Sequence, residues 1–300
     1  MISYFKRTVA SRNLKSLDTY EKGCWVNAIS PDTVELERLS SSFDLDMDLL
    51  LEGIDEHELA RMDVFEKRVY VFIKILSPNE KKLVTLLVIL GDDFLITVCR
   101  EDANLVTVLD KTKALTTRKL SFLMELLLEQ NELLDKAIHK VVKSVQKKKS
   151  DTEHLSEDDM EKLLEEEEFL NTVISSHFYS NLLYMRMSKK LKFDSEDKNK
   201  LDDLIIETTQ SLTLAKTSLK NISNLRNFYS IILTNRLNRT IKILTIFTIF
   251  VTIPAAISGF YGMNIALPFQ SSPHAFWYVV GLVVAIWALF LVFLRRNKVI

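Results

Sequence analysis

A four-residue segment, Tyr261–Asn264 (Tyr-Gly-Met-Asn), closes a long uncharged stretch of this sequence and is the first candidate for chemistry. The side chain of Asn264 offers a neutral oxygen acceptor and two N–H donors, and Gly262 frees the backbone around it. The structural alternative is that Asn264 ends a helix, since asparagine tolerates the left-handed conformation common at helix C-termini. The elements around the segment must decide between these interpretations.

Two other groups carry side chains that can bind metals. Glu165–Glu168 is a run of four carboxylates, which are hard oxygen ligands for divalent cations. Four consecutive positions fan around a helix, however, so a solvated helix face is the favoured interpretation and a weak cation site is the alternative. His57 has acidic neighbours but no His or Cys nearby in the sequence, which predicts an exposed position on a surface helix. No spacing typical of a catalytic site or phosphate-binding loop occurs, so we do not expect an enzyme.

Composition excludes some functional classes. A net charge of -1 over 300 residues argues against a strongly basic nucleic-acid-binding protein. The only two cysteines, Cys24 and Cys99, lie in apolar contexts. This predicts two buried, reduced thiols and neither a disulfide framework nor a cysteine metal site.

The element that carries Tyr261–Asn264 is a predicted membrane span. Residues 240–261 are uncharged after Lys242 and mostly apolar, and roughly 20 such residues cross a bilayer. Threonine and serine interrupt the run, but their hydroxyls can hydrogen-bond to their own helix in lipid. A second uncharged run, 275–294, follows the short loop 262–274. The sequence therefore predicts a two-helix membrane hairpin at the C-terminal end of a large soluble part.

The charges around the hairpin predict its orientation. The loop between the spans has no Lys or Arg, whereas basic residues precede the first span and follow the second: Arg236, Arg239, Lys242, Arg295, Arg296 and Lys298. By the positive-inside bias, both ends of the hairpin, including the basic tail 295–300, are cytoplasmic. The N-terminus has no apolar stretch typical of a signal peptide. We therefore expect a multi-pass protein of the cell (inner) membrane, in contact with lipid, whose soluble part stays in the cytosol.

Glycine and proline divide the soluble part into two regions. Five of them lie in the first 91 residues and none occurs between Asp92 and Ile253, a pattern typical of long uninterrupted helices. The sequence predicts an α+β fold, with an α/β domain at 1–115, antiparallel helices at 116–194 and a helical stalk at 195–239. The predicted strands are 23–29, 68–76, 82–90 and 93–99, with a helix starting at Pro31 and further helices at 117–149 and 156–187.

The stalk shows a heptad pattern that predicts packing on other helices. One series of residues falls seven apart, and a second follows four residues after the first three members: Leu201, Thr208, Ala215, Ile222 and Tyr229, with Ile205, Leu212 and Leu219. No helix-breaking residue separates the stalk from the first span. Residues 195–260 are therefore predicted to form one helix, about 100 Å long at 1.5 Å per residue.

With these features the chain resembles the CorA family of divalent-cation channels. The resemblance rests on Tyr261–Asn264, placed just after the first of two C-terminal spans, and on the preceding segment Asn238–Ile246. It covers the whole chain in architecture and extends more weakly to Trp25–Asn27 and Phe65–Leu76. Members of the family are pentameric, with the first span lining the pore. The resemblance thus implies a homopentameric funnel that passes Mg²⁺, with Co²⁺ and Ni²⁺ as further candidate ions.

The resemblance also implies a selectivity filter at the outer mouth of the pore. It would consist of five copies of Gly262, Met263 and Asn264, supported by Tyr261. Mg²⁺ gives up its water reluctantly, so a ring of neutral amide and carbonyl oxygens would hold the hydrated ion through its waters. Such a ring binds the ion without trapping it.

A further set of residues recurs every three or four positions and so shares one helix face: Asn238, Ile241, Leu244 or Thr245, Thr248 and Thr252. The resemblance implies that this face lines the pore. Asn238 would form an inner polar ring, and Ile241 and Leu244 a hydrophobic gate that closes by dewetting. The alternative for each apolar position is a lipid-facing or helix-packing contact. Pro254 is predicted to bend or loosen the span.

A regulatory Mg²⁺ site between neighbouring subunits is the last feature that the resemblance implies. The matching stalk position is Asp203, beside Asp202, and the partner acid in the turn 77–82 is Glu80. The alternative is that these are ordinary surface carboxylates.

Two departures from the family pattern leave the ion preference open. The loop 265–274 has no acid after Asn264, and Asn227 stands where many relatives have a stalk acid, so the path should concentrate cations less. A zinc-transporting branch has Val where Met263 stands, which argues against zinc. The alternatives are a Zn²⁺, Co²⁺ or Ni²⁺ transporter on the same scaffold, and a membrane-anchored helical sensor or scaffold without a pore.

Overall fold

The structure, a computed structural model, describes residues 1–9, 11, 13–78, 82–112, 114–150, 155–264 and 272–296. Its contacts divide the chain into two compact units, Met1–Arg226 and Asn227–Ile300. The finer division into domains given above stays a prediction. The strands are β1 Ile2–Lys6, β2 Lys15–Leu17, β3 Trp25–Ile29, β4 Arg61–Phe65, β5 Arg68–Leu76, β6 Leu83–Leu90 and β7 Leu95–Cys99. The helices are α1 Thr33–Phe43, α2 Met47–Glu52, α3 Leu105–Lys111, α4 Lys119–Ser150, α5 Glu157–Lys190, α6 Ser195–Tyr261 and α7 Ala275–Arg296.

A mixed sheet of seven strands forms the centre of the first unit, in the order β2-β1-β3-β7-β6-β5-β4. β3 and β7 pair in parallel, and the other neighbouring strands pair antiparallel. Helices α1 and α2 cover one face, and α4, α5 and α6 cover the other. β6 is buried at every position because helices lie on both of its sides, which explains its unbroken apolar sequence.

The four predicted strands are confirmed as β3, β5, β6 and β7. β5 and β6 form the expected antiparallel hairpin, whose register runs from Val69 opposite Leu90 to Leu76 opposite Leu83. The sequence pattern did not indicate β1, β2 or β4. All residues of β1 are half-buried, and β4 has one buried, two half-buried and two exposed residues, so neither strand has the clear apolar alternation of a central strand.

One local prediction in the first unit is confirmed and another is wrong in detail. The segment 30–32 starts the first helix, as predicted: α1 begins at Thr33, and its N-cap Asp32 accepts a hydrogen bond from the Glu35 backbone N–H at 2.7 Å. His57 is exposed, as predicted, but lies in a turn instead of a helix. Its backbone N–H donates to Asp55 Oδ1 at 2.8 Å, a local side-chain bond that competes with helix formation.

The prediction of two buried, unpaired thiols is confirmed. Cys24 and Cys99 have relative exposures of 0% and 1%. Burial raises the pKa of the Cys99 thiol to about 11, so this thiol stays protonated and unreactive at neutral pH.

Helices α4, α5 and α6 share an apolar core of their own beside the sheet. A capping box starts α5: Ser156 Oγ accepts from the Asp159 N–H at 3.2 Å, and Asp159 Oδ2 accepts from the Ser156 N–H at 3.1 Å. Helix α6 runs without interruption from Ser195 to Tyr261, which confirms the prediction of one continuous helix.

The heptad prediction for α6 is right for one series and wrong for the other. Leu201, Thr208, Ala215 and Ile222 are buried, as expected, and Tyr229 is half-buried. The second buried series lies three residues after the first, not four: Leu204, Ser211, Ser218 and Leu225, whereas Ile205, Leu212 and Leu219 are only half-buried. Ser211 of this series has a partner in α4, since its Oγ donates to Asp135 Oδ1 at 2.5 Å. The buried Ser218 Oγ has no hydrogen-bond partner among the described residues.

A buried histidine in α5 leads to a prediction about pH. His177 is 2% exposed, and its Nε2 has no hydrogen-bond partner among the described residues. Burial lowers the pKa of His177 to about 4, against 6.5 in an unfolded chain, although the nearby Asp135 carboxylate opposes this shift. Between pH 6.5 and about pH 4, His177 is protonated in the unfolded chain but stays neutral in the folded chain. Stability is therefore lost as the pH falls through this window.

We expect His177 to contribute a loss of about 3 kcal/mol between pH 7 and pH 4, at 1.36 kcal/mol per pKa unit. Denaturant unfolding of the full chain in detergent, followed by circular dichroism at several pH values, measures this. His177→Leu should flatten the pH dependence, and the same change at the exposed His57 is the control. Equal pH slopes for wild type and His177→Leu would contradict the prediction.

Candidate functional site

Both predicted membrane spans are helical in the structure. The spans lie in α6 and in α7, and each contains a window of 18 residues that is long and apolar enough to cross a membrane. The apolar window of α6 is 0% buried and that of α7 is 6% buried. Neither helix is therefore the buried core of a soluble protein. Their surroundings must be lipid or further helices.

The membrane part of α6 has one side that packs on α7. Its half-buried residues, which we call the α7-facing stripe, are Ile246, Ile249, Phe250, Ile253, Pro254 and Ile257. The ring of Trp287 in α7 stacks on the ring of Phe250, with centroids 4.0 Å apart and planes 6° apart. Trp287 Nε1 also donates a hydrogen bond to the Phe250 carbonyl oxygen at 3.1 Å.

The residues implied to face the pore lie on the other side of α6. This open face consists of Asn238, Ile241, Leu244, Thr245, Thr248 and Thr252, all of them exposed. A helix turns about 100° per residue, so the centre of the open face lies roughly 140° from the centre of the α7-facing stripe. The second unit thus leaves uncovered the side on which these residues lie.

The threonines of the open face bond back to their own helix, as expected for hydroxyls in lipid. The Thr245 hydroxyl donates to the Ile241 carbonyl at 2.8 Å, that of Thr248 to Leu244 at 2.9 Å, and that of Thr252 to Thr248 at 2.8 Å. These bonds satisfy the hydroxyl donors within α6, so threonine costs little in an apolar span.

The segment Tyr261–Asn264 begins on the last residue of α6 and then leaves the helix. The Gly262 N–H donates to the Ser258 carbonyl at 2.9 Å and the Met263 N–H to the Phe260 carbonyl at 3.3 Å, so the backbone tightens as it ends. A Cβ atom on Gly262 would lie 3.3 Å from the Ser258 oxygen, closer than side chains normally approach. Asn264 lies three residues after Tyr261, the last residue of α6. Residues 265–271, most of the acid-free loop, are outside the described residues.

The acids predicted to bind a regulatory ion are only partly visible. Asp202 and Asp203 are both exposed on α6, and Glu80 lies outside the described residues. In the parts of the chain that the structure describes, no group of three or more His, Cys, Asp or Glu side chains is arranged to hold a metal ion.

The turn next to Glu80 gathers two acids that the sequence did not point to. Lys82 Nζ lies 3.3 Å from Glu56 Oε2 and 3.7 Å from Glu101 Oε1, and Ser77 Oγ donates to Glu101 at 3.2 Å. The Lys82 ammonium holds the pKa of Glu56 below its usual value. Glu56 precedes β4 and Glu101 follows β7, so both acids are far from this turn in the sequence. No local pattern could therefore have found them.

The acidic run 165–168 in α5 does fan around its helix, but a fully solvated face is the wrong description. Glu165 and Glu168 are exposed, whereas Glu166 is 6% exposed and lies 3.7 Å from Lys148 Nζ. Glu167 pairs with Arg226 at 2.6 Å. Two of the four carboxylates therefore have basic partners, and the run provides no third ligand for a cation among the described residues.

Comparisons with known proteins agree on one family. A family model described as "CorA-like Mg2+ transporter protein" matches residues 20–296. A relative from Methanocaldococcus jannaschii, described as a cobalt/magnesium transport protein CorA, is 24% identical, and the match covers 91% of this chain and 90% of the relative.

Solved structures match over nearly the full length. The complete structure of the CorA magnesium transporter from Methanocaldococcus jannaschii matches with a TM-score of 0.82 at 22% identity, covering 100% of this chain and 99% of that chain. The structure of the full-length CmaX protein matches with a TM-score of 0.75 at 20% identity, covering 99% and 97%. The expected architecture of an N-terminal α/β domain, a long helix and two apolar C-terminal helices is therefore confirmed.

Proposed function

The chain belongs to the CorA-like Mg²⁺ transporter family, and from this premise we propose that it is a passive channel that admits Mg²⁺ to the cell. The family contains transporters and not enzymes, and Mg²⁺ is the transported ion. The relative from Methanocaldococcus jannaschii is described as a cobalt/magnesium transport protein, which supports Co²⁺ as a second cargo.

The observation that carries this proposal is the division of α6 into two sides. α7 packs on the α7-facing stripe, and within one copy nothing described covers the open face. Two spans cannot enclose a pore, so several copies must surround an axis. The proposed assembly is a homopentamer in which every copy turns the open face of α6 to the axis and α7 toward lipid.

The proposed selectivity filter is the ring of Gly262, Met263 and Asn264 at the outer end of α6, with Tyr261 supporting it. These residues leave the helix where its backbone tightens, so carbonyl and amide oxygens become available to an ion. Mg²⁺ prefers oxygen ligands and keeps its water, so the filter acts on the hydrated ion. Neutral oxygens bind weakly enough for release.

The proposed gate lies toward the other end of the open face. Ile241 and Leu244 are exposed there with relative exposures of 51% and 62%, so five copies can form an apolar collar. Such a collar closes by excluding water. Asn238, one turn away on the same side, provides the inner polar ring.

The proposed driving force is the membrane potential. A doubly charged ion gains roughly 4.6 kcal/mol per 100 mV of inside-negative potential, twice the value for one charge. The basic residues flanking both spans favour cytoplasmic termini in the cell (inner) membrane, so the ion would enter through the filter and leave past the gate.

Proteoliposomes test this function. Wild-type protein should take up Mg²⁺ when an inside-negative potential is imposed, and uptake should rise with the potential. Competition with Co²⁺, Ni²⁺ and Zn²⁺ ranks the ions and separates the zinc-transporting alternative. Absence of potential-driven flux, or protein that stays a single copy in detergent, would instead favour a scaffold or sensor without a pore.

Regulation by cytosolic Mg²⁺ gives a further prediction. We propose that Asp203, helped by Asp202, shares an ion with Glu80 of a neighbouring copy and that this ion holds the pore shut. Asp203→Ala should therefore leave uptake active at high internal Mg²⁺, whereas wild-type uptake falls. Glu161→Ala, another exposed acid on a helix, is the matched control. If Mg²⁺ inhibits Asp203→Ala as it inhibits the wild type, Asp203 is an ordinary surface carboxylate and does not bind the regulatory ion.

A further inference from the structure

Pro254 creates a defect in the backbone of α6. In an α-helix the carbonyl of residue i accepts a hydrogen bond from the N–H of residue i+4. The partner of the Phe250 carbonyl would be the N–H of residue 254, and proline has none. The Phe250 carbonyl therefore lacks its regular helix donor, at a point where α6 lies in its apolar span.

Trp287 supplies the missing donor from the other span. Its Nε1–H reaches the Phe250 carbonyl oxygen at 3.1 Å, across 37 positions of sequence. The stacked rings of Trp287 and Phe250, 4.0 Å apart, fix the indole in the orientation that this bond needs. The nearby hydroxyls do not compete, because those of Thr248 and Thr252 donate to the carbonyls of Leu244 and Thr248.

We propose that Trp287 is a positioning residue for ion conduction: it replaces the helix hydrogen bond that Pro254 removes, and so holds the outer part of α6 in place. This inference rests on the proposed function, since the part of α6 beyond Pro254 carries Asn264. Without the indole donor, the free carbonyl faces an apolar seam, and α6 can bend at Pro254 toward water. The filter ring then loses its geometry.

A double-mutant cycle tests the proposal. Trp287→Phe keeps an aromatic ring for stacking but removes the donor, and it should lower Mg²⁺ uptake by about 3- to 20-fold, the range of hydrogen bonds between membrane helices. Pro254→Ala restores an N–H that can satisfy the Phe250 carbonyl. In that background, Trp287→Phe should change uptake by less than about 2-fold. Trp277→Phe, at an exposed position of α7, is the matched control.

A second measurement on the same four proteins does not depend on conduction. The unfolding equilibrium of the full chain in mixed detergent micelles should shift by about 3- to 20-fold on Trp287→Phe, and much less when Pro254→Ala is present. Equal shifts in both backgrounds, or none, would overturn the proposal. Coupling in unfolding together with a wild type that passes no Mg²⁺ would support the hydrogen bond and overturn the proposed channel.

Discussion

Asn264→Ala should reduce Mg²⁺ uptake by about 100-fold or more, because one substitution removes five amide oxygens from the proposed filter. A hydrogen bond contributes about 0.5–1.5 kcal/mol, so five lost contacts to the waters of the ion amount to several kcal/mol. Each 1.4 kcal/mol is a factor of ten. Uptake into proteoliposomes under an imposed potential measures the loss.

Two variants sharpen the Asn264 experiment. Asn199→Ala makes the same change at an exposed position of α6 in the first unit and should leave uptake unaltered. Asn264→Gln keeps the amide on a longer side chain, so part of the flux should remain while the preference between Mg²⁺ and Co²⁺ shifts. If Asn264→Ala takes up Mg²⁺ at the wild-type rate and with the wild-type ion preference, this amide does not form the filter.

Leu244→Asn should have the opposite effect and make the pore leak. Burying a leucine is favourable by about 1.5–3 kcal/mol, and an amide instead retains water. Replacing the collar side chain in every copy should therefore keep the closed pore wet and raise uptake at inhibitory internal Mg²⁺ by about tenfold or more. The measurement is the residual uptake at high internal Mg²⁺.

The control for the gate is a change that keeps its apolar character. Leu244→Ile preserves volume and polarity class, so the closed state should remain dry and inhibition should be normal. Residual uptake in Leu244→Asn that equals that of wild type would remove Leu244 from the gate. Wild-type behaviour of both variants would place the closing constriction elsewhere along α6.

Local patterns in the sequence were enough to predict much of the fold. The spans in α6 and α7 follow from long uncharged apolar runs, and the stalk part of α6 from a stretch without Gly or Pro. The β5–β6 hairpin follows from two β-branched segments joined by a turn at Pro78. The strand β1 was not predictable, because its partial burial depends on β3, which is far away in the sequence. The strand β4 was missed although it forms a tight hairpin with β5, the next strand along the chain. Ser211 of the second α6 series was missed because its burial depends on an acceptor in another helix, Asp135 in α4.

The candidate site shows the same division between local and distant information. That the residues of the open face lie on the same side of α6 could be predicted, because residues three and four apart share a helix side. The position of α7 on the other side, and the bond from Trp287 to the Phe250 carbonyl, required the packing of two separate spans. Glu56 and Glu101 meet at Lys82 only through the pairing of strands.

The threonines of the open face, whose hydroxyls donate to their own helix, differ in how they meet hydrated cations and hydrated anions. A hydroxyl has one hydrogen, and Thr245, Thr248 and Thr252 each give theirs to a carbonyl one turn earlier. Only lone pairs are then left to point outward. Water around a cation directs its hydrogens away from the ion, so the threonine oxygens can accept hydrogen bonds from this water. Water around an anion directs hydrogens toward the ion, so its oxygens face the threonine oxygens and the two acceptors do not pair. In the proposed pore, these threonines would therefore favour hydrated cations over hydrated anions without carrying a formal charge.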